Sequence, residues 1–214
     1  MGDRQRAGGD VSDTLVLGVT GNIASGKSTV VDMLKEFGAI HIDADIVYRE
    51  MVGSGKPLLA RLVDRFGSEI LSRDGSLDRG VLGKIVFAHP AALRDLDEIT
   101  HPEIIAEIDR RVDAIDEGIV VIDAVKLVES GHADHCDVVW VVTTSSDNQV
   151  TRLMKRNRLD AGEARKRVAA QSPMDAKRAR ADRVIDNSGS LDDTRAQVME
   201  AWQALPVAGS LSTR

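Results

Sequence analysis

Gly21-Asn22-Ile23-Ala24-Ser25-Gly26-Lys27-Ser28 is the stretch on which the reading of the whole chain turns. It spells G-x-x-x-x-G-K-S. An apolar run, Leu15-Val16-Leu17-Gly18-Val19, leads into it, and Thr29 to Phe37 follows with apolar residues at helical spacing. Strand, glycine loop and helix in that order are the context in which such a match carries weight. Glycines let the backbone turn tightly enough for successive N–H groups to face one anion. The helix adds its own unpaired N–H groups and the positive end of its dipole. The residues expected around a nucleotide's phosphates are Gly21, Asn22, Ile23, Ala24, Ser25, Gly26, Lys27, Ser28 and Thr29. Lys27 is expected to reach the terminal phosphates and Ser28 to hold Mg2+. A plain Gly/Ser turn is the competing reading; the Lys-Ser pair and both flanks argue against it.

Further along, Gly38 suits a helix C-terminal cap, and Ile40 and Ile42 read as a short strand ending in Asp43 and Asp45. Ligands of open α/β sheets gather at the carboxyl ends of strands. If the segment stays extended, the two carboxylates face the same way. One then acts as general base toward a hydroxyl and the other supports Mg2+ or orients a ligand. The alternative is an Asx turn and a helix N-cap.

From Ile46 to about Ile115 the pattern is helical, with helices expected from Pro57 to Phe66, from Arg79 to Phe87 and from about Ala91. Thr100-His101-Pro102-Glu103 reads as the start of another helix, with Thr100 as N-cap and Pro102 in its first turn. The block is too long for a simple crossover and is expected to build a pocket. His101 reads more readily as a capping or packing residue than as a catalyst. Gly118 to Asp123 is an apolar strand of the kind buried on both faces of a parallel sheet. Its terminal Asp123 is a candidate second carboxylate for Mg2+, or a capping residue.

Asp137 to Val142 is a further strand, and Thr143 to Asp147 supplies a helix start. The helix beyond carries Gln149, Arg152, Lys155, Arg156 and Arg158, followed by Arg165, Lys166, Arg167, Lys177, Arg178 and Arg180. This concentration of positive charge reads as a lid that brings arginines to a transferring phosphoryl group, rather than as a solvated face. No base-stacking aromatics are interleaved with it, which argues against a nucleic-acid surface. A short strand near Val184 and a helix from Leu191 to Leu205 close the chain.

The bulk properties set the class. The chain has 214 residues, 43% of them hydrophobic, and a formal net charge of -6, so it has no general attraction to nucleic acid or acidic membranes. Its one cysteine, Cys136, excludes an internal disulfide and suits a reducing compartment. No apolar stretch is long enough to span a bilayer, and the first residues lack the apolar centre of a secretory signal. These features predict a cytoplasmic protein, monomeric or a small homo-oligomer, with tails over residues 1–13 and 207–214.

Taken together, the motifs resemble those of dephospho-coenzyme A kinases. That family's G-x-T-G-x-I-x-S-G-K-S opening is matched by Gly18 to Ser28, and its D-A-D with a following arginine by Asp43-Ala44-Asp45 and Arg49. Phe66-Gly67, Leu77-Asp78-Arg79, Val86-Phe87 and His101-Pro102 follow in the family's order. Then come Gln149, Arg152 and Arg156, Arg167 and Gln171, and Ala181-Asp182 through Ile185 and Asn187. The resemblance spans about Leu15 to Leu205. It implies an α/β P-loop kinase fold: a central parallel sheet in three layers over residues 14–206. A helical acceptor-binding insertion is placed at about 46–115 and a helical lid at about 148–181.

The activity it implies is ATP-dependent phosphorylation of the ribose 3'-hydroxyl of dephospho-coenzyme A, giving coenzyme A. Asp45 would be the base on that hydroxyl. Lys27, Arg152 and Arg156 would serve ATP, and Asn187 would lie near the adenine. Asp43, Arg49, Arg79 and His101 would line the acceptor side. Two departures stand out. Asn22 and Ala24 replace glycines of the family's loop, and Ala24 fits there with a negative φ. The family's D-x-P-L-L-F-E appears as Asp123-Ala124-Val125-Lys126-Leu127-Val128-Glu129. The alternatives are a related kinase with another hydroxyl acceptor and a nucleotide-dependent switch; the sequence shows no N-K-x-D guanine-reading motif.

Overall fold

The computed structural model describes residues 13–206. The tails expected over 1–13 and 207–214 lie outside it, except for Asp13, which opens the first strand. In chain order the elements are β1 (Asp13–Gly21), α1 (Lys27–Glu36), β2 (Ile40–Asp43), α2 (Ala44–Met51), α3 (Pro57–Phe66), α4 (Arg79–Ala88), α5 (Pro90–Asp113) and β3 (Glu117–Asp123). They continue with β4 (Val138–Thr143), α6 (Ser146–Asn157), α7 (Ala161–Ala169), α8 (Met174–Arg180), β5 (Arg183–Asp186) and α9 (Leu191–Gln203). The chain divides into two compact units, one from the segments up to Ile42 and from Ile115 on, the other Asp43–Ala114.

The first unit is built on a five-stranded sheet in the order β2-β3-β1-β4-β5. The pairs β1–β3, β1–β4 and β4–β5 are parallel. Side chains alternate across a strand, and Leu15, Leu17 and Val19 of β1 join Ile119, Val121, Trp140, Val142 and Ile185 in one cluster. Val30, Val31, Met33 and Leu34 of α1 and Val198 and Ala201 of α9 complete it. Val16, Val120, Ile122, Val139 and Val141 are buried as well, so the strands are apolar on both faces, as a parallel sheet requires. Two acids anchor strand entrances: Asp137 accepts from Val16 N (2.7 Å) and Asp182 from Val139 N (2.7 Å).

The second unit is helical. Val52, Leu58, Leu62, Phe66, Ile70, Leu82, Val86 and Ala92 form its core, with Leu93, Leu96 and Ile99 packed against it. The helix expected to begin at Thr100 does not begin there. α5 runs unbroken from Pro90 to Asp113 with Pro102 inside it. Thr100 is a buried interior residue whose Oγ1 donates to Leu96 O (2.7 Å) rather than capping an N-terminus. An interior proline costs about 3 kcal/mol by removing one backbone donor and crowding the preceding turn. The apolar residues of α5 on both sides of it, from Ala92 and Leu96 to Ile108 and Val112, are held by packing, and packing overrides the local signal.

A surface network ties α5 to α2: Glu107 accepts from Arg110 and Arg111, and Arg111 Nη2 donates to Glu50 Oε2 (2.5 Å). The hydrogen bonds from Arg110 and then Arg111 lower the Glu107 carboxyl pKa to about 2. A carboxyl held below its unfolded value adds stability above about pH 4.5, and that contribution is lost as pH falls toward 2. Urea titrations of Glu107→Gln should therefore show a deficit at pH 7 of about 1 kcal/mol or less, as for an exposed network, and none near pH 2.

Candidate active site

Because neighbouring strands run parallel, the carboxyl ends of β1, β3, β4 and β5 share one sheet edge. β1 ends at Gly21 and releases the loop; β3 ends at Asp123, which pairs in register with Val19. Gly21 itself pairs with Val142, and a Cβ there would stand 2.6 Å from the Val142 carbonyl oxygen. The loop turns on a Ser25 N–H to Asn22 O bond (3.1 Å). Gly26 then takes φ +92, and the Asn187 amide nitrogen occupies the place a side chain would fill, 1.8 Å from an ideal Cβ. Only glycine serves there. α1 starts at Lys27, so its first N–H groups, which have no intrahelical acceptor, open at the loop's end.

Ala24 adopts φ +57, contrary to the negative φ expected of it. The left-handed conformation costs an alanine about 1–2 kcal/mol, and neighbouring contacts hold it there. Ala24→Gly should raise stability by about 0.5 kcal/mol, the strain relieved exceeding the added chain entropy. Ala24→Val should lower it by about 1–2 kcal/mol. Thermal melting of the three proteins checks the order.

Lys27 Nζ pairs with Asp123 Oδ1, and Asp123 Oδ2 lies 3.6 Å from His41 Nε2 within β2. Asp123 is 6% exposed. A buried carboxylate thus holds an ammonium group at the mouth of the loop. Ser28, the next residue, is exposed. Serine hydroxyl and aspartate carboxylate are both hard oxygen donors of the type that Mg2+ takes.

The loop is held from behind. Arg152 Nη1 donates to Ala24 O (3.3 Å) and Ser25 O (3.0 Å), and its Nη2 to Asn187 O (2.9 Å). Asn187 Nδ2 donates to Ser25 O (2.8 Å), while its Oδ1 accepts from Thr194 (2.9 Å). Gln149 and Gln171 reach Ile23. Arg156 is not part of this set; its Nε donates to Asn157 Oδ1 (3.0 Å) on an exposed surface. The basic residues of 148–181 do not act as one cluster. Lys177 is fully buried, donating to Val125 O (2.7 Å) and both Glu129 oxygens (2.6 Å). Arg180 binds Ala133 O (3.0 Å) and Asp134 (3.3 Å). The expectation that these two cations serve a lid is corrected: each holds the segment that follows Asp123.

In the second unit, Asp43 is the N-cap of α2, its Oδ1 accepting from Asp45 N (2.7 Å) and Ile46 N (3.2 Å). The extended Asp43–Asp45 geometry is thereby excluded. The helix begins at Ala44, and Asp45 sits exposed in its first turn, where the helix dipole favours negative charge. Arg49 is exposed in the last turn of α2. Arg79 opens α4 after the N-cap Asp78 and lies over the Tyr48 ring (5.7 Å). Burial raises the Tyr48 pKa and Arg79 partly offsets this. His101 Nε2 is 3.3 Å from Asp97, one turn back along α5.

Sequence reasoning gave no role to His41, Gln149, Gln171 or Tyr48. The first three lie far apart in the chain: His41 meets Asp123 from the neighbouring strand β2, and the glutamines reach the loop from α6 and from the segment after α7. The two glutamines stand in the motif spacing quoted above, which was their only signal.

Three comparisons bear on the chain. A family model described as dephospho-CoA kinase matches residues 15–193. A dephospho-CoA kinase of Symbiobacterium thermophilum is 48% identical over 205 residues, covering 91% of this chain and 86% of the relative. Among solved structures, TT1252 from Thermus thermophilus aligns with a TM-score of 0.76 at 29% identity, covering 93% of this chain and 98% of that one. The dephospho-CoA kinase from Campylobacter jejuni aligns with a TM-score of 0.63 at 26% identity, covering 89% and 96%.

Proposed function

The chain belongs to the dephospho-CoA kinase family, and from that premise we propose that its loop edge carries ATP while the DAD segment supplies the base for transfer to the ribose 3'-hydroxyl of dephospho-CoA. The observation that carries this reading is the pairing of Lys27 with buried Asp123 at the carboxyl edge of the sheet, directly beside the loop. The N–H groups of the first turn of α1, and those of the loop other than Ile23 and Ser25, bind the phosphate oxygens, and Lys27 neutralises charge on the transferring group. Ser28 and Asp123 would hold Mg2+, for which their oxygen donors and the burial of Asp123 are suited. A Mg2+ ion held by them would supply positive charge to the ATP phosphates.

Asp45 takes the proton of the attacking hydroxyl as its oxygen bonds to the γ-phosphorus and the bond to the β–γ bridging oxygen breaks, leaving ADP. Arg152 and Arg156 serve the ATP side and Asn187 the adenine side. Asp43 orients Asp45 by capping α2; Arg49, Arg79 and His101 bind the acceptor. The protein's contribution is positioning and electrostatics. Buried Cys136, its Sγ on the His132 carbonyl, supports assignment to a reducing cytoplasm. Among the described residues no helix is long and apolar enough to cross a membrane.

An ADP-release assay with MgATP tests the reading. Turnover should require dephospho-CoA. Equal release without it would mark an ATPase or switch, and release only with another hydroxyl compound would mark a different kinase.

A further inference from the structure

A phosphate loop that binds through N–H groups must keep its carbonyls turned away, because each carbonyl that swings inward presents negative charge to the anion. In this loop three consecutive carbonyls are tied. Ile23 O accepts from Gln149 Nε2 (2.9 Å), Ala24 O from Arg152, and Ser25 O from Arg152 and Asn187. Ile23 is gripped on both sides, since its N–H also donates to Gln171 Oε1. Gln149 lies on α6 and is 6% exposed. Gln171 follows α7, and its own Nε2 donates to Val168 O (3.2 Å), which fixes the amide with its oxygen toward the loop. Asn22 Nδ2 adds a bond to Ser172 O (3.3 Å) beside it.

We propose that Gln149 and Gln171 are positioning residues for ATP: they clamp both backbone groups of Ile23, so that the helical segments carrying them set the shape of the phosphate loop. The inference rests on the reading of this loop as the ATP site. Gln149 is placed to hold the carbonyl side of the peptide, and Gln171 to stop the Ile23 N–H from rotating. Ala24 follows at positive φ, so a peptide released at Ile23 would be drawn toward a relaxed turn that no longer lines the phosphates. Neither glutamine need touch substrate for this role.

Gln149→Met and Gln171→Met keep side-chain length and remove the hydrogen bonds. Titration calorimetry with MgATP should show binding weakened roughly 5- to 10-fold in each, the effect expected when one hydrogen bond to a loop peptide is lost. Steady-state kinetics should show KM for ATP raised, with KM for dephospho-CoA within about twofold of wild type. Because both act on Ile23, the double variant should lose less than the product of the single losses. ATP affinity unchanged in both single variants, or a parallel loss of affinity for ATP and acceptor, would overturn the clamp. A wild-type protein that binds no ATP would overturn the functional reading itself, an outcome distinct from wild-type binding with unaffected variants.

Discussion

Asp45→Asn is expected to lower kcat by ~100- to ~10,000-fold, the usual range for loss of a general base, with ATP affinity unchanged and stability reduced by no more than about 1 kcal/mol, the worth of a negative charge in a helix's first turn. The substitution is isosteric, and Asp45 is exposed, so no buried group loses a partner. The α2 cap survives, because Asp43 accepts from the backbone N–H of Asp45 and not from its side chain. What disappears is the carboxylate's capacity to take a proton. The loss should fall on kcat, since the acceptor's proton moves only as the new bond forms. Steady-state kinetics at saturating ATP and acceptor, with calorimetry for ATP, separate the two. Turnover near that of wild type would remove Asp45 from the base role.

The largest stability effect is expected at Glu129, far in sequence from the loop. Glu129→Ala strips Lys177 of both carboxylate contacts and leaves its buried ammonium on the Val125 carbonyl at 2.7 Å. Removing one member of a buried pair costs ~3–5 kcal/mol, or a melting temperature lower by roughly 10 °C in a domain of this size. Lys177→Met should cost less, ~1–2 kcal/mol, because the carboxylate it abandons has a side chain 28% exposed and can rehydrate. The asymmetry is the informative part. Val125 O also accepts from Thr20 Oγ1 (3.0 Å), one residue before the loop's Gly21. The pair therefore anchors the segment leaving Asp123 to the strand that delivers the loop. Melting curves for the two variants that are equal, or that stay within a degree or two of wild type, would contradict this.

Much of the fold was legible because its signals are local. The loop's glycines, the apolar runs of β1, β3 and β4, and the helices beginning at Pro57 and Arg79 each sit within a few residues of their cause. Thr100 shows where this fails: the capping signature is real, but Ile108 and Val112 beyond Pro102 are buried along the same continuous helix as Ala92. Ala24 shows it again, since φ at that position depends on bonds from Arg152 and Gln149 to the adjoining peptides. Around the loop, the residues singled out from the sequence include Lys27 and Asp123, which pair, and Arg152 and Asn187, which bond to the Ser25 carbonyl. Lys177 was misread because a buried lysine and a solvated one look alike until the carboxylate opposite, here 48 residues away, is brought to it.

The proposed reaction moves the γ-phosphoryl group of ATP onto the 3'-hydroxyl of dephospho-CoA. Phosphorus NMR of the purified protein with MgATP and dephospho-CoA tests it most directly. A new 3'-phosphomonoester resonance should grow in step with ADP and with the loss of the γ-phosphate signal. Inorganic phosphate accumulating with ADP while dephospho-CoA stays unmodified would contradict it.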